Sequence, residues 1–126
     1  VMANEKIKYS NGCSPQELDS TSARWYQDSD VGTKLSGSAN VSMGSGTLTY
    51  QSSKEITSAE SALSSKDFVY VRNISGSDVK ISLDNGSNYL VLLSAGESFA
   101  SELDSSVAAV IISTDGTSTV EYLSGI

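Results

Sequence analysis

Enzyme chemistry in a chain of 126 residues has to rest on a few side chains, and this sequence contains no histidine at all. A Ser-His-Asp triad, a Cys-His dyad and imidazole-bound zinc are therefore excluded. Cys13 is the single cysteine, so no disulfide can close within the chain. Neither a basic residue nor a second cysteine adjoins it in sequence, and it reads as an inert thiol. Hydrolysis by a carboxylate pair needs two acids at a fixed separation across a cleft. Asp28/Asp30 and Glu102/Asp104 have the i, i+2 spacing that would place both acids on one side of a strand. Each pair sits in Ser-rich sequence, the setting of a solvated surface.

Calcium takes oxygen ligands from acidic loops, and Asp28-Ser29-Asp30-Val31-Gly32 opens as such a loop does. It lacks the third acidic position and the distal bidentate Glu, and Asp84-Asn85-Gly86 is explained by turn formation. Trp25-Tyr26, with Tyr9, Tyr50, Tyr70 and Tyr89, would suit an aromatic platform for sugar rings, although single aromatics on strands also serve as core. Asn40, Asn73 and Asn85 each open an Asn-X-Ser triplet, a match expected by chance in a chain this rich in serine. No catalytic, cofactor-binding or metal-binding residue is assigned on these grounds, no cofactor is expected, and the chain reads as a non-enzyme.

Net charge is −7, and after Lys80 no Lys or Arg follows, leaving Asp84, Glu97, Glu102, Asp104, Asp115 and Glu121 unopposed in the C-terminal stretch. Phosphate recognition needs clustered cations, so nucleic acid is not an expected partner. An anionic membrane surface is disfavoured for the same reason. The stretch after Met2, ANEKIKYSNG, lacks the apolar run of a signal peptide, and no segment approaches the length of a transmembrane helix. Synthesis and assembly in a cytoplasm are expected.

The elements that would position any site are legible mainly in the second half. Val, Ile and Leu fill 18 of the 60 positions from Asp67 onward but 9 of the 66 before it, while Ser takes roughly one position in five overall. Phe68 to Arg72 is apolar on both faces, as in a strand covered on both sides. Val79, Ile81 and Leu83 alternate with Lys80 and Ser82, the period of a half-exposed strand. Asp84-Asn85-Gly86-Ser87 is a tight hairpin signal, because Asn-Gly accepts positive φ. Tyr89–Leu93 returns, Ser94–Glu97 turns, and Phe99–Leu103, Val107–Ile112 and Val120–Leu123 follow, the last after a turn at Thr114–Thr117.

Earlier in the chain, Lys6–Tyr9 alternates, and Ala39–Tyr50 reads as a strand pair or one bulged strand broken at Gly44 and Gly46. From Ser52 to Lys66, the spacing of Ile56, Ala59, Ala62 and Leu63 fits one or two helical turns, or a loop. Six strands at spacings of about ten residues predict an all-β fold, an antiparallel β-sandwich or jelly roll with an extended, loop-rich N-terminal half. Residues 1–66 form the arm, loops and edge strands, and 67–126 the core strands, one domain overall.

The stretch Phe68 to Glu97 resembles a module found in virion structural proteins of tailed bacteriophages. The resembling elements are an apolar strand ending in a basic residue and Asn (Val69-Tyr70-Val71-Arg72-Asn73), a hairpin carrying Ile81-Ser82-Leu83-Asp84-Asn85-Gly86, and an apolar strand closed by Ala95-Gly96-Glu97. They cover about a quarter of the chain. The resemblance implies a structural role in the particle: a capsid decoration or cement protein packed on the shell, or a component of neck, tail or fibre. The implied partners are the major capsid protein or other virion proteins, with the chain a homo-oligomer or lattice-bound. Its implied location is the virion, and a carbohydrate-binding module is the other reading.

Overall fold

The computed structural model describes residues 6–14, 16–19, 21, 24–27, 35–42, 47–59, 63 and 67–126, and among these the regular structure is all β with antiparallel pairing. The strands are β1 Lys6–Cys13, β2 Gln16–Asp19, β3 Arg24–Gln27, β4 Leu35–Ser42, β5 Leu48–Ile56, β6 Phe68–Gly76, β7 Val79–Ser82, β8 Val91–Leu93, β9 Ser98–Glu102, β10 Ile111–Thr114 and β11 Ser118–Gly125. They form a four-stranded sheet ordered β5-β11-β6-β9, a three-stranded sheet ordered β10-β7-β8, and the pairs β1-β4 and β2-β3. The chain divides into two compact units, Lys8–Ala39 and the remainder, Val1–Ile7 with Asn40–Ile126.

The larger unit owes much of its core to alternation along β6 and β11. In β11 Ser118, Val120, Tyr122 and Ser124 are buried while Thr119, Glu121 and Leu123 are half-buried. In β6 Val69, Val71 and Asn73 turn inward between half-buried Tyr70 and exposed Arg72. Both larger sheets supply one apolar cluster: Ile56, Val69, Val71, Val120 and Tyr122 come from the first, and Val79, Ile81, Leu93 and Ile112 from the second. Burying each such side chain contributes about 1.5–3 kcal/mol. Leu63, outside any strand, is fully buried in the same cluster.

Two neighbouring strands change sheet together. β6 and β11 pair in the four-stranded sheet, and their continuations β7 and β10 pair in the three-stranded one. At this corner the Ser77 amide donates to the Thr117 carbonyl (3.0 Å), Thr114 Oγ1 donates to the Asp78 carbonyl (3.0 Å), and Ser118 Oγ donates to the Ser77 carbonyl. Gly76 makes the bend at φ 102°, and a Cβ there would run into the Thr117 carbonyl. A register shift between Thr119 and Val120 accompanies the corner, the usual device by which a strand switches sheets.

Six strands follow from Phe68 onward, but Tyr89–Leu93 is strand only from Val91, and Val107–Ile112 is strand only from Ile111, its first four residues running without regular structure. The Asn-Gly turn has positive φ at both residues, 59° at Asn85 and 89° at Gly86. It lies in a loop over residues 83–90 rather than in a tight hairpin, because the pairing of β7 with β8 starts at Val79↔Leu93 and ends at Ile81↔Val91. The helical reading of Ser52–Lys66 is corrected in its first part: Ser52–Ile56 completes β5, held by pairing with β11, and Ile56 reaches the core from a strand. Non-local pairing overrides a short 3.6-residue spacing here. Residues 60–62 and 64–66 lie outside the described residues. Ala39–Tyr50 contains two strands, yet they are not partners: β4 pairs with β1 and β5 with β11, while residues 43–46 lie outside the described residues.

In the Lys8–Ala39 unit, β2 and β3 pair with Leu18 opposite Trp25 and Glu17 opposite Tyr26. None of the side chains described in this unit is buried. Among the described residues no helix is long and apolar enough to cross a membrane.

Candidate functional site

The residues that sequence reading singled out are scattered. Asp28 and Asp30 lie outside the described residues. Glu102 ends β9 and Asp104 lies beyond it, in a turn closed by the Val107 amide on the Asp104 carbonyl (3.0 Å). The Ser106 amide donates to Asp104 Oδ1 (2.8 Å) and holds that carboxyl below its ordinary value. The pair therefore does not stand together on a strand. Cys13 is exposed at the end of β1. Among the described residues no group of three or more His, Cys, Asp or Glu is placed to hold a metal ion.

A cleft of about 360 Å³ beside the sheet-switching corner is lined by Ser77, Asp78, Lys80, Thr114 and Asp115 among others. Its Thr114 hydroxyl is committed to the Asp78 carbonyl, and Lys80 Nζ stands 3.9 Å from Asp115. A nucleophile needs an adjacent base to be activated. Here the hydroxyl donates to main chain, which is corner construction.

The resembling stretch closes on itself through Asn73. Its amide donates to the Glu97 carbonyl (2.9 Å), and its carbonyl accepts from the Gly96 amide (2.7 Å). Its Nδ2 donates to the carbonyls of Ser77 and Leu93, each at 3.0 Å. Asn73 is fully buried, and its Oδ1 has no hydrogen-bond partner. The Ser94–Glu97 turn is completed by Glu97 Oε2, which accepts from the Ser94 amide (3.0 Å), with Gly96 at φ 91°. In the Asn-Gly loop Asp84 Oδ2 accepts from Asn88 Nδ2 (2.9 Å), and Oδ1 accepts from the Asn88 amide (2.8 Å) and Ser82 Oγ (2.7 Å). These bonds, the Asn88 side chain first, lower the Asp84 carboxyl to about 2.

One constellation joins three strands on the outer face of the four-stranded sheet. Leu123 of β11 stands opposite Tyr50 of β5 and opposite Tyr70 of β6, so the three form a row across the sheet. One row over, Glu121 stands opposite Arg72, and Arg72 opposite Ser98. Tyr50 Oη donates to Glu121 Oε2 (2.6 Å), Tyr70 Oη donates to Oε1 (3.2 Å), and Arg72 Nε lies 3.3 Å from Oε1. Glu121 is held below its ordinary value by the Tyr50 bond, then the Tyr70 bond and the Arg72 charge. Tyr50 is pushed up chiefly by its bond to Glu121, and Tyr70 by burial and then by the same carboxylate.

Of the aromatic residues considered for a platform, the structure brings Tyr50 and Tyr70 together. Tyr89 lies in the loop between β7 and β8, Tyr9 in β1, and Trp25 and Tyr26 in β3. Arg72 and Glu121 are additions that sequence reading missed. The signal available was parity, which sets Arg72 beside Tyr70 and Glu121 beside Leu123 on one face. The pairing of β5, β11 and β6 that unites them is non-local.

Compared with protein-family models, with curated proteins and with solved structures, the chain matches none.

Proposed function

We propose that this chain is a non-enzymatic structural component of a bacteriophage particle, a capsid decoration or cement protein that packs on the shell. The larger unit is read as a β-sandwich, its two sheets facing one core. The particle reading starts from the resemblance over Phe68–Glu97, whose opening strand and closing turn are hydrogen-bonded to one another through Asn73. The reading makes the major capsid protein or another virion protein the partner, the virion the location, and a homo-oligomer or lattice-bound copy the working form.

The observation that carries an assembly role is the free edge at β8. Among the described residues β8 pairs only with β7 and is therefore an edge of its sheet, with the Leu93 carbonyl taken by Asn73 Nδ2. Leu92 is 54% exposed and Leu90, just before the strand, 88%, in a chain whose surface is otherwise rich in serine. A groove of about 140 Å³ beside them is lined by Ile81, Leu83, Leu90 and Val91 with Asp84 and Asn88. A cavity of about 150 Å³ is what a trimmed core leucine leaves behind, so the groove matches one apolar side chain from a neighbour. Open apolar edges invite pairing unless they are covered.

The test is incorporation of a Leu90→Asp/Leu92→Asp double variant into phage particles made without the wild-type chain. The variant is expected to melt like wild type and to enter particles at no more than about a tenth of the wild-type level, since charge at a packed apolar contact is costly. Wild-type incorporation of the variant would remove the β8 edge as the docking surface.

A further inference from the structure

We propose that the outer face of the four-stranded sheet binds a neutral saccharide chain, with the row Tyr50–Leu123–Tyr70 as its stacking surface and Arg72 and Glu121 as hydrogen-bonding partners for its hydroxyls.

The register builds the surface. Leu123 lies opposite both tyrosines, so their backbones stand two strand spacings apart, about 10 Å, with Leu123 on the strand between them and their hydroxyls converging on Glu121. The neighbouring row, Glu121–Arg72–Ser98, is polar. An apolar row with a polar row alongside is the complement of a pyranose, which presents C–H groups on its faces and hydroxyls around its rim. Tyrosine serves such a role because its body is apolar and its tip is polar.

The rings are fixed before any ligand arrives. Tyr50 is 57% exposed, yet its hydroxyl is tied to Glu121 at 2.6 Å, and the other oxygen of the same carboxylate takes the Tyr70 hydroxyl. Pinning both phenols at their tips leaves ring surface available and removes ordering cost from binding. Arg72 meets Glu121 through Nε at 3.3 Å, its side chain is 45% exposed, and its guanidinium carries further donors besides Nε.

Charge selects the class of saccharide. Arg72 and Glu121 cancel locally, and the chain as a whole carries −7, so sulfated or uronic-acid chains are repelled rather than collected. Size argues against a protein occupant, because a standard interface buries about 800 Å² on each partner, several times a row of two tyrosines and one leucine. This inference is independent of the particle reading and uses the sheet that does not contain β8.

The experiment is a glycan array probed with the full-length chain, followed by titration calorimetry with the best-retained neutral oligosaccharide. The wild-type chain is expected to retain neutral glycans, and Tyr50→Ala to weaken the titrated affinity by about tenfold or more, the scale of a lost aromatic contact. Tyr50→Phe keeps the ring but loses its tie to Glu121, so its affinity is expected to fall between those of wild type and Tyr50→Ala, and Leu90→Asp/Leu92→Asp is expected to bind as wild type does. An array without neutral hits overturns the proposal. So does retention restricted to anionic glycans, or an affinity that Tyr50→Ala and Tyr70→Ala leave unchanged. Loss of particle incorporation by Tyr50→Ala without glycan retention would make the face a protein contact, and also overturns it.

Discussion

Glu121 sets the ionisation of its neighbours, and the sign of each effect can be stated. Tyr50 and Tyr70 have folded-state values raised above the ordinary 10.0, so their contribution to stability is complete below pH 10 and is lost as pH rises through the raised values. Ultraviolet titration of Glu121→Gln is expected to return Tyr50 toward its ordinary value while Tyr70 stays raised, because burial leads the causes at Tyr70 and the carboxylate bond leads at Tyr50. Equal movement of both would contradict that division. Asp84 is depressed from 3.8 to about 2, so its contribution is present above pH 4 and disappears as pH falls through about 2. Chemical denaturation between pH 5 and pH 2 is expected to show a smaller slope in Asn88→Ala, which removes the leading bond and leaves those from the residue-88 amide and Ser82. Asn73 is a third residue-scale test. Asn73→Asp faces a carboxyl toward the Ser77 and Leu93 carbonyls in a fully buried place. Burial raises the value of that new group, so thermal stability is expected to fall as pH rises through it, whereas Asn73→Ala costs about 1–3 kcal/mol at every pH. Of this site, the sequence exposed the tyrosines as a type of surface but not Glu121, whose role depends on which strands lie beside β11.

At the scale of elements, Gly76 at the sheet-switching corner and Gly96 in the Ser94–Glu97 turn differ in what surrounds them. Gly96 has φ 91° with nothing within 4 Å of a Cβ, so Gly96→Ala is expected to cost about 1–2 kcal/mol from backbone strain alone. Gly76 has φ 102° and would drive a Cβ into the Thr117 carbonyl, so Gly76→Ala is expected to cost more than about 2 kcal/mol by urea denaturation. Equal costs would mean that the two-strand corner is not tightly packed. The strands themselves were legible wherever residues alternate, as in Val79-Lys80-Ile81-Ser82 and Val120-Glu121-Tyr122-Leu123. What alternation lacks is the partner. β11 lies between β5 and β6, pairings that join residues far apart in sequence, so Ser52–Ile56 reads locally as part of a weak helix and becomes strand only through β11. The Asn-Gly turn was legible from its positive φ requirement, but the length of its loop was not, because Asp84, Ser82 and Asn88 hold it by side-chain bonds.

The apolar cluster belongs to the larger of the two units. The Asn40–Ile126 stretch holds the apolar cluster, while the described side chains of Lys8–Ala39 are exposed or half-buried. None of the described side chains of that unit is buried, and on the proposed assembly role its protection comes from the neighbour it lies against. Trypsin is therefore expected to cut the free chain at Arg24 of β3 before Arg72 of β6, and to spare Arg24 in the assembled particle. Resistance of Arg24 in the isolated monomer would contradict assembly-dependent protection. The proposed particle role is tested most directly by the copy number of this chain, by quantitative mass spectrometry, in purified particles of a phage whose genome carries its gene. A number comparable to that of the major capsid protein is the predicted result, and absence of the chain from the particle would contradict the account.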